Sequence, residues 1–179
     1  MRTRLLQAFL LLCLVSATVA VLFPGHRSRH DARRLSCQSN LKQIGLALQQ
    51  YAQDYDDRLP PHQWAVRGVQ FLSYLKTDAL FQCPETTAAK GTNDYFFNSH
   101  FLGAPREKIA SPKALILFGD GRENAPFDAT LAQFPSAWLE DENSPAWRHL
   151  GRANYGFGDG HVKWLKATSV NRDFRIVKP

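Results

Sequence analysis

The sequence predicts an α+β protein: a long N-terminal helix, membrane-spanning and then amphipathic, packed on a small antiparallel sheet. Three observations carry this. Residues 5–23 form a 19-residue run without a formal charge. Leu41, Ile44, Leu48 and Tyr51 then recur at spacings of three and four, one apolar stripe on a helix. Near the C-terminus Ala153, Tyr155 and Phe157 alternate before Asp159-Gly160, and Val162 and Trp164 alternate after it, the pattern of a hairpin.

The apolar run reads LLQAFLLLCLVSATVAVLF, with Gln7, Ser16 and Thr18 as its polar members. At about 1.5 Å per residue it spans roughly 28 Å, close to the hydrocarbon thickness of a bilayer. Two outcomes are open. One is a retained anchor that makes the membrane a partner through residues 5–23. The other is a secretory signal peptide, with Arg2 and Arg4 as its basic end and cleavage after Ala17 or Ala20. Cys13 follows Leu12 and not a small residue, which disfavours a lipoprotein anchor and leaves Cys13 as a lipid-facing side chain.

Charge divides the 179-residue chain in two. Of 22 Lys+Arg and 16 Asp+Glu, residues 1–34 hold six arginines and one acid, Asp31, a net of +5. Residues 35–179 hold the other 16 basic and 15 acidic residues, a net of +1. We therefore divide the chain into an anchor with a basic juxtamembrane stretch (1–34) and a head (35–179). A nucleic-acid binder spreads a basic face over its folded domain, so nucleic acid is not expected as a partner. At 44% apolar and 21% charged the chain is neither disordered nor collagen-like. Counting positive charges across residues 5–23 sets Arg2, Arg4 and the amine against four arginines, which alone would leave the head in the cytoplasm.

In the head, Pro24-Gly25 can kink or interrupt the helix before its periodicity resumes over residues 35–53. A sheet is the natural cover for the stripe. The helix should end over residues 54–58, before Leu59-Pro60-Pro61. A short second helix fits residues 69–75, and a buried strand fits 114–118 (ALILF). Residues 123–147, with Pro126, Pro135 and Pro145, read as an irregular surface excursion. Asp159-Gly160 suits a two-residue hairpin loop, which puts Gly158 opposite His161. Phe-Gly-Asp-Gly occurs at 118–121 and 157–160, read as two similar strand-end turns.

Cys37 and Cys83 either bridge, closing about 45 residues for roughly 3–4 kcal/mol in the chain-entropy model, or are two buried free thiols. His149, Asp159 and His161 suggest a metal, but ten extended residues cover about 33 Å. Only a chain folding back at 150–152 would bring His149 to Asp159, so Asp159 is assigned to the turn. Asp120 and the run Glu140-Asp141-Glu142 read as non-metal, the run as a solvated loop. No metal or cofactor is expected. With no G-x-S-x-G, H-E-x-x-H, phosphate loop or C-x-x-C, a non-enzymatic role is expected. Trp64, Trp138, Trp147 and Trp164 read as core or interface aromatics, and Asn98 and Asn154 as side chains that tie strand ends.

The segments SCQSNLKQIGLA at 36–47 and YAQDYDDRLP at 51–60 resemble the bacterial pseudopilin-like proteins with a prepilin-type N-terminus and a C-terminal H-x9-D-G motif. His149, nine residues, then Asp159 and Gly160 match that motif, and FQCP at 81–84 and YFFN at 95–98 resemble stretches between. The resemblance implies a pilin-like lollipop: a single-pass helix in the bacterial inner membrane, a periplasmic head, and a structural or interaction role related to type II secretion or type IV pilus subunits. It further implies self-assembly or contact with other pseudopilin-like subunits. Such proteins usually begin Gly-Phe-Thr-Leu-Ile-Glu; here Arg2, Thr3 and Gln7 stand at the Gly, Phe and Glu positions. That departure keeps open a secreted or envelope-anchored binding domain that has lost prepilin processing.

Overall fold

The structure, a computed structural model, describes residues 2–22, 26–61, 70–87, 92–126 and 129–173. Trp64, Pro24-Gly25 and residue 69 lie outside them. The first helix, α1 (Arg2–Leu22), has a stretch Arg2–Val21 long and apolar enough to cross a membrane, its most apolar part unburied by the protein. The two hydroxyls inside its uncharged run are satisfied within the helix: Ser16 donates to the Cys13 carbonyl and Thr18 to that of Val15. A segment built this way exposes little polar surface to an apolar medium.

The second helix, α2 (His26–Asp54), is 29 residues long, roughly 43 Å. Cys37, Leu41, Ile44, Leu48 and Tyr51 are buried along one face with Ala47 and Ala52, while Leu35 and Leu46 on other faces are exposed. The helix ends where the sequence predicts. Asp56 and Asp57 adopt left-handed φ of 50° and 55°, and the Asp57 amide reaches back to the Ala52 carbonyl at 2.8 Å. Aspartate tolerates this region better than bulkier residues.

The stripe is covered by a five-stranded sheet of order β3-β1-β2-β4-β5, made of β1 (Asn93–Asn98), β2 (Ile116–Ala125), β3 (Thr130–Leu131), β4 (Ala153–Phe157) and β5 (Val162–Leu165). Tyr95, Phe97, Leu117, Phe118 and Val162 join the α2 residues in one apolar cluster. Phe71 and Phe81, from 3-10 turns Gln70–Tyr74 and Asp78–Phe81, close its flank. The short second helix is thus a single 3-10 turn among the described residues.

Four expectations need correction. The sheet is mixed, not antiparallel throughout, because β3 runs parallel to β1. Ala125 lies opposite Asn93 at the start of β1, and five residues later Thr130 lies beside Phe97, so the chain has crossed the start of β1 and follows it. Second, residues 123–147 are not a mere excursion. β2 continues to Ala125, and Trp138 in α3 (Ala137–Glu140) and Ala146 pack with Phe96, Tyr155, Phe157 and Val170 of α4 (Ala167–Asp173) on a second apolar cluster. The sheet is therefore covered on both faces. Apolar residues on both faces of β1 demanded that second cover: Tyr95 and Phe97 face the α2 cluster, Phe96 faces the second one, and all six residues of the strand are buried.

Third, the β4–β5 loop has three residues. The Gly160 amide donates to Phe157 O at 2.8 Å and the Phe157 amide to His161 O at 2.9 Å, with Gly160 at φ +86°. Phe157, not Gly158, therefore faces His161. A type I turn closed by a left-handed glycine is the usual three-residue solution. Fourth, Asn98 does tie strand ends, donating to the Ile116 carbonyl and accepting from the His100 amide, but the Asn154 side chain has no hydrogen bond among the described residues. It is the Asn154 backbone that is tied, to Asp120.

The stripe makes a direct stability prediction. Leu41→Ala or Ile44→Ala should cost about 2–5 kcal/mol, the range for emptying a packed core site. Leu46→Ala, 59% exposed on the same helix, should change stability by less than about 0.5 kcal/mol. Denaturant unfolding of the full chain in detergent measures both, and equal losses would contradict the packing.

Candidate functional site

The best-defined polar constellation is built around the two ends of β4. At its start the chain reverses over residues 149–152. The His149 amide donates to Arg152 O at 2.8 Å, and Arg152 N returns to His149 O at 3.3 Å. Leu150 and Gly151 take φ of +56° and +77°. Two successive left-handed residues make the tight primed turn that matches strand twist. At the other end of β4 stands the Gly158–Gly160 loop. The fold-back needed to join His149 to Asp159 exists, yet it does not join them. The strand between holds them at opposite ends, each with its own partners.

His149 is buried beside the Cys37–Cys83 bridge. The two cysteines are disulfide-bonded with Cα atoms 5.2 Å apart, linking α2 to the loop before β1 across 46 positions. Of the two open readings, bridge and free thiols, the structure takes the bridge. His149 Nε2 lies 3.5 Å from Cys83 Sγ and 3.3 Å from Asp120 Oδ2. The His149 carbonyl accepts from the Trp164 indole at 3.0 Å. Asp120 also accepts from the Asn154 amide at 2.6 Å and faces Arg148 Nη1 at 3.6 Å.

A second carboxylate, Asp94, completes the arrangement. Its Oδ2 accepts from the Cys83 amide at 2.8 Å and from Thr86 Oγ1 at 2.6 Å, and its Oδ1 from the Asn124 amide at 3.1 Å. This closes an irregular stretch of β2. Tyr95 opposes Asp120 and Asn93 opposes Ala125, so residues 121–124 bulge out against Asp94 alone. Arg148 donates into that bulge, to the Asp94 and Gly121 carbonyls. Gly121 is required there: a Cβ would sit 2.8 Å from the Tyr95–Phe96 backbone.

Asp94, Asp120 and His149 are each 2% exposed or less. Burial of this kind needs mutual pairing, because an isolated charge out of water is strongly destabilising. Burial also pushes the Tyr95 and Tyr155 hydroxyls far above the ordinary tyrosine range, with the Asp120 charge adding to it. Both phenols stay neutral at any physiological pH. Chemically the group is a closed structural network. The sulfurs of Cys37 and Cys83 and a His149 ring nitrogen all lie within 4.8 Å of one another. That donor set suits a soft divalent metal only as thiolates; in the disulfide the sulfurs carry no charge.

At the hairpin tip, Asp159 and Gly160 dock on α2. Gln49 donates to the Asp159 carbonyl at 2.6 Å. A Cβ on Gly160 would lie 2.2 Å from Gln49 Nε2, and one on Gly45 would meet Phe118 at 3.1 Å and the Gly160 carbonyl at 3.2 Å. The Asp159 carboxylate turns away to the His161 ring and backbone amide. Partial burial raises its pKa, but the hydrogen bonds from His161 outweigh this and hold it below the ordinary aspartate value. His161 also stacks on Phe157, its partner across the loop.

His149 and Asp159-Gly160 are therefore two clamps on one helix, at Cys37 and at Gly45–Gln49. Eight to twelve residues separate these points on α2, about 12–18 Å. The five residues of β4 span a similar length, about 17 Å. The nine residues between His149 and Asp159 are a tight turn, that strand and one loop residue. Sequence reading named His149, Asp159, Gly160, Cys37 and Cys83. It set Asp120 aside and missed Asp94 and Arg148; the place of Asp120 within the repeated Phe-Gly-Asp-Gly, directly after the apolar run at 114–118, was the available signal.

A family model described as a protein of unknown function, DUF1559 (SBP_bac_10), matches residues 26–78, which hold α2 and the turn at Gln70–Tyr74. No curated protein and no solved structure matches the chain.

Replacing both bridge cysteines by serine should lower stability by about 4 kcal/mol in the chain-entropy model for a loop of this length, read by denaturant unfolding under oxidising conditions. An unchanged midpoint would contradict a formed bridge. Acid titration gives a second check. Because the Asp159 pKa is lowered in the folded state, its contribution is full at neutral pH and is lost as pH falls below the ordinary aspartate value, through the depressed one. In Asp159→Asn that increment of acid sensitivity should disappear; an identical acid limb in both proteins would show the carboxylate to be idle.

Proposed function

We propose that the chain is a single-pass, membrane-anchored, pseudopilin-like protein with a non-enzymatic structural or interaction role, related to type II secretion or type IV pilus subunits. One observation carries it: α1 is a helix long and apolar enough to cross a bilayer, with no face buried against the head, and it is followed by a helix whose apolar stripe the sheet covers. The match at 26–78 to a family typical of pseudopilin-like proteins supports the same reading. In this reading the head faces the periplasm and the contacts are with other pseudopilin-like subunits or further copies of the chain.

The sealed polar network favours a non-enzymatic role. Its histidine, carboxylates and sulfurs are each 2% exposed or less. Beside it lies a cleft lined by Glu85, Glu123, Glu142, Arg122 and Arg148. Within it Glu85 is already engaged by His30 and Arg33 of α2.

A second reading rests on Arg2, Thr3 and Gln7: an envelope-anchored or secreted binding domain that keeps the head without prepilin processing. Mass spectrometry of the mature N-terminus separates the two. A start at Met1 or Arg2 fits an unprocessed anchor, and N-methylated Thr3 fits ordinary pilin processing. A start near Thr18 or Val21 would overturn the anchored reading. Cys13 is the one free and exposed cysteine among the described residues, so oxidative cross-linking in membranes reports self-association directly. Dimers through Cys13 are expected from an assembling subunit; monomers alone would count against one.

A further inference from the structure

We propose that the end of the head nearest α1 is a binding site for anionic phospholipid headgroups, centred on an Arg34–Trp164–Arg152 stack; this rests on the membrane-anchored reading of α1. The contacts along α2 fix which end is meant. Arg34 meets Trp164, Gln38 donates to the Val162 carbonyl, and Gln49 to the Asp159 carbonyl. Trp164, and Arg152 against it, therefore lie toward the start of α2, where the chain arrives from α1.

At that end positive charge is concentrated and poorly compensated. The Arg34 and Arg152 guanidinium carbons stand 4.4 Å and 4.6 Å from the Trp164 ring centre. Two cations so placed lie within about one Debye length of each other at physiological salt and repel. Arg34 has one acid, Asp31, at 3.4 Å; Arg33 and His30 share Glu85. Arg29, Arg152 and Lys166 have no ion-pair partner among the described residues. Among the described residues, Asp31 and Glu85 are thus the acids paired with this group of six basic residues, five arginine or lysine and His30.

The chemistry selects the occupant. Phosphate oxygens accept from guanidinium groups in charge-assisted hydrogen bonds, and Trp164, its N–H already given to the His149 carbonyl, holds both guanidiniums against its ring. Arg34 lies eight residues into α2, about 12 Å from its first residue. Long arginine side chains extend further toward the interface. A leaflet carrying anionic lipid attracts each such residue at short range. Trp164 ties the site to the head, because its indole holds the turn that positions His149.

Hydrogen exchange of the full chain in bilayer discs tests this, with discs of phosphatidylcholine alone or mixed with phosphatidylglycerol. Backbone amides over 160–168, remote in sequence from the anchor, should exchange at least about fivefold more slowly with phosphatidylglycerol, the factor one surface arginine supplies. High salt should abolish the difference. Arg34→Gln with Arg152→Gln should remove it, and Arg34→Lys with Arg152→Lys should keep most of it. Equal exchange in both lipids at low salt, with α1 amides protected, overturns this proposal alone. Unprotected α1 amides overturn the anchored reading as well. Equal slowing by inorganic phosphate in phosphatidylcholine discs would make this a free-anion site and overturn the lipid assignment.

Discussion

Leu41, Ile44 and Leu48 cannot be left in water, and a helix beginning at His26 holds them in one line. Fully burying each such side chain contributes about 1.5–3 kcal/mol, so the sheet that closes over them is held by contact along the helix. The other features of the head follow from keeping that contact in register. The disulfide fixes α2 at Cys37. The hairpin tip fixes it at Gly45 and Gln49. Between them β4 lies flat enough that Gly156 must lack a side chain, since a Cβ there would overlap the Phe118 ring at 2.0 Å.

The buried charges belong to the same scheme. Asp94 caps the Cys83 amide, and His149 stands against the Cys83 sulfur. Arg148 and Asp120 then bind the β2 bulge and the start of β4 into one unit. Such a network contributes more to a unique arrangement than to net stability, because desolvation offsets much of its attraction. It places one sulfur of the bridge with definite geometry beneath the sheet.

How much of this was legible in the sequence differs by range. The stripe at 41–51 and the alternation at 153–164 were legible because their periods are local. Cys37 and Cys83 stood out because Cys13 belongs to the apolar run. The Asp94–Arg148 and Asp120–Asn154 contacts join residues 54 and 34 positions apart, and no local pattern announces a pairing at that distance. The parallel β3 was hidden because two residues carry no period. The three-residue loop was missed because Gly158, Asp159 and Gly160 satisfy more than one turn, and the choice fell to Gln49 on a helix 110 positions away.

Native-state hydrogen exchange of α2 tests the central claim most directly. If the stripe is sealed under the sheet along its length, amides over 37–51 should open only with β4, at the free energy of global unfolding. Independent, low-energy opening of 37–51 while β4 stays protected would show that the helix is not what the sheet is built on.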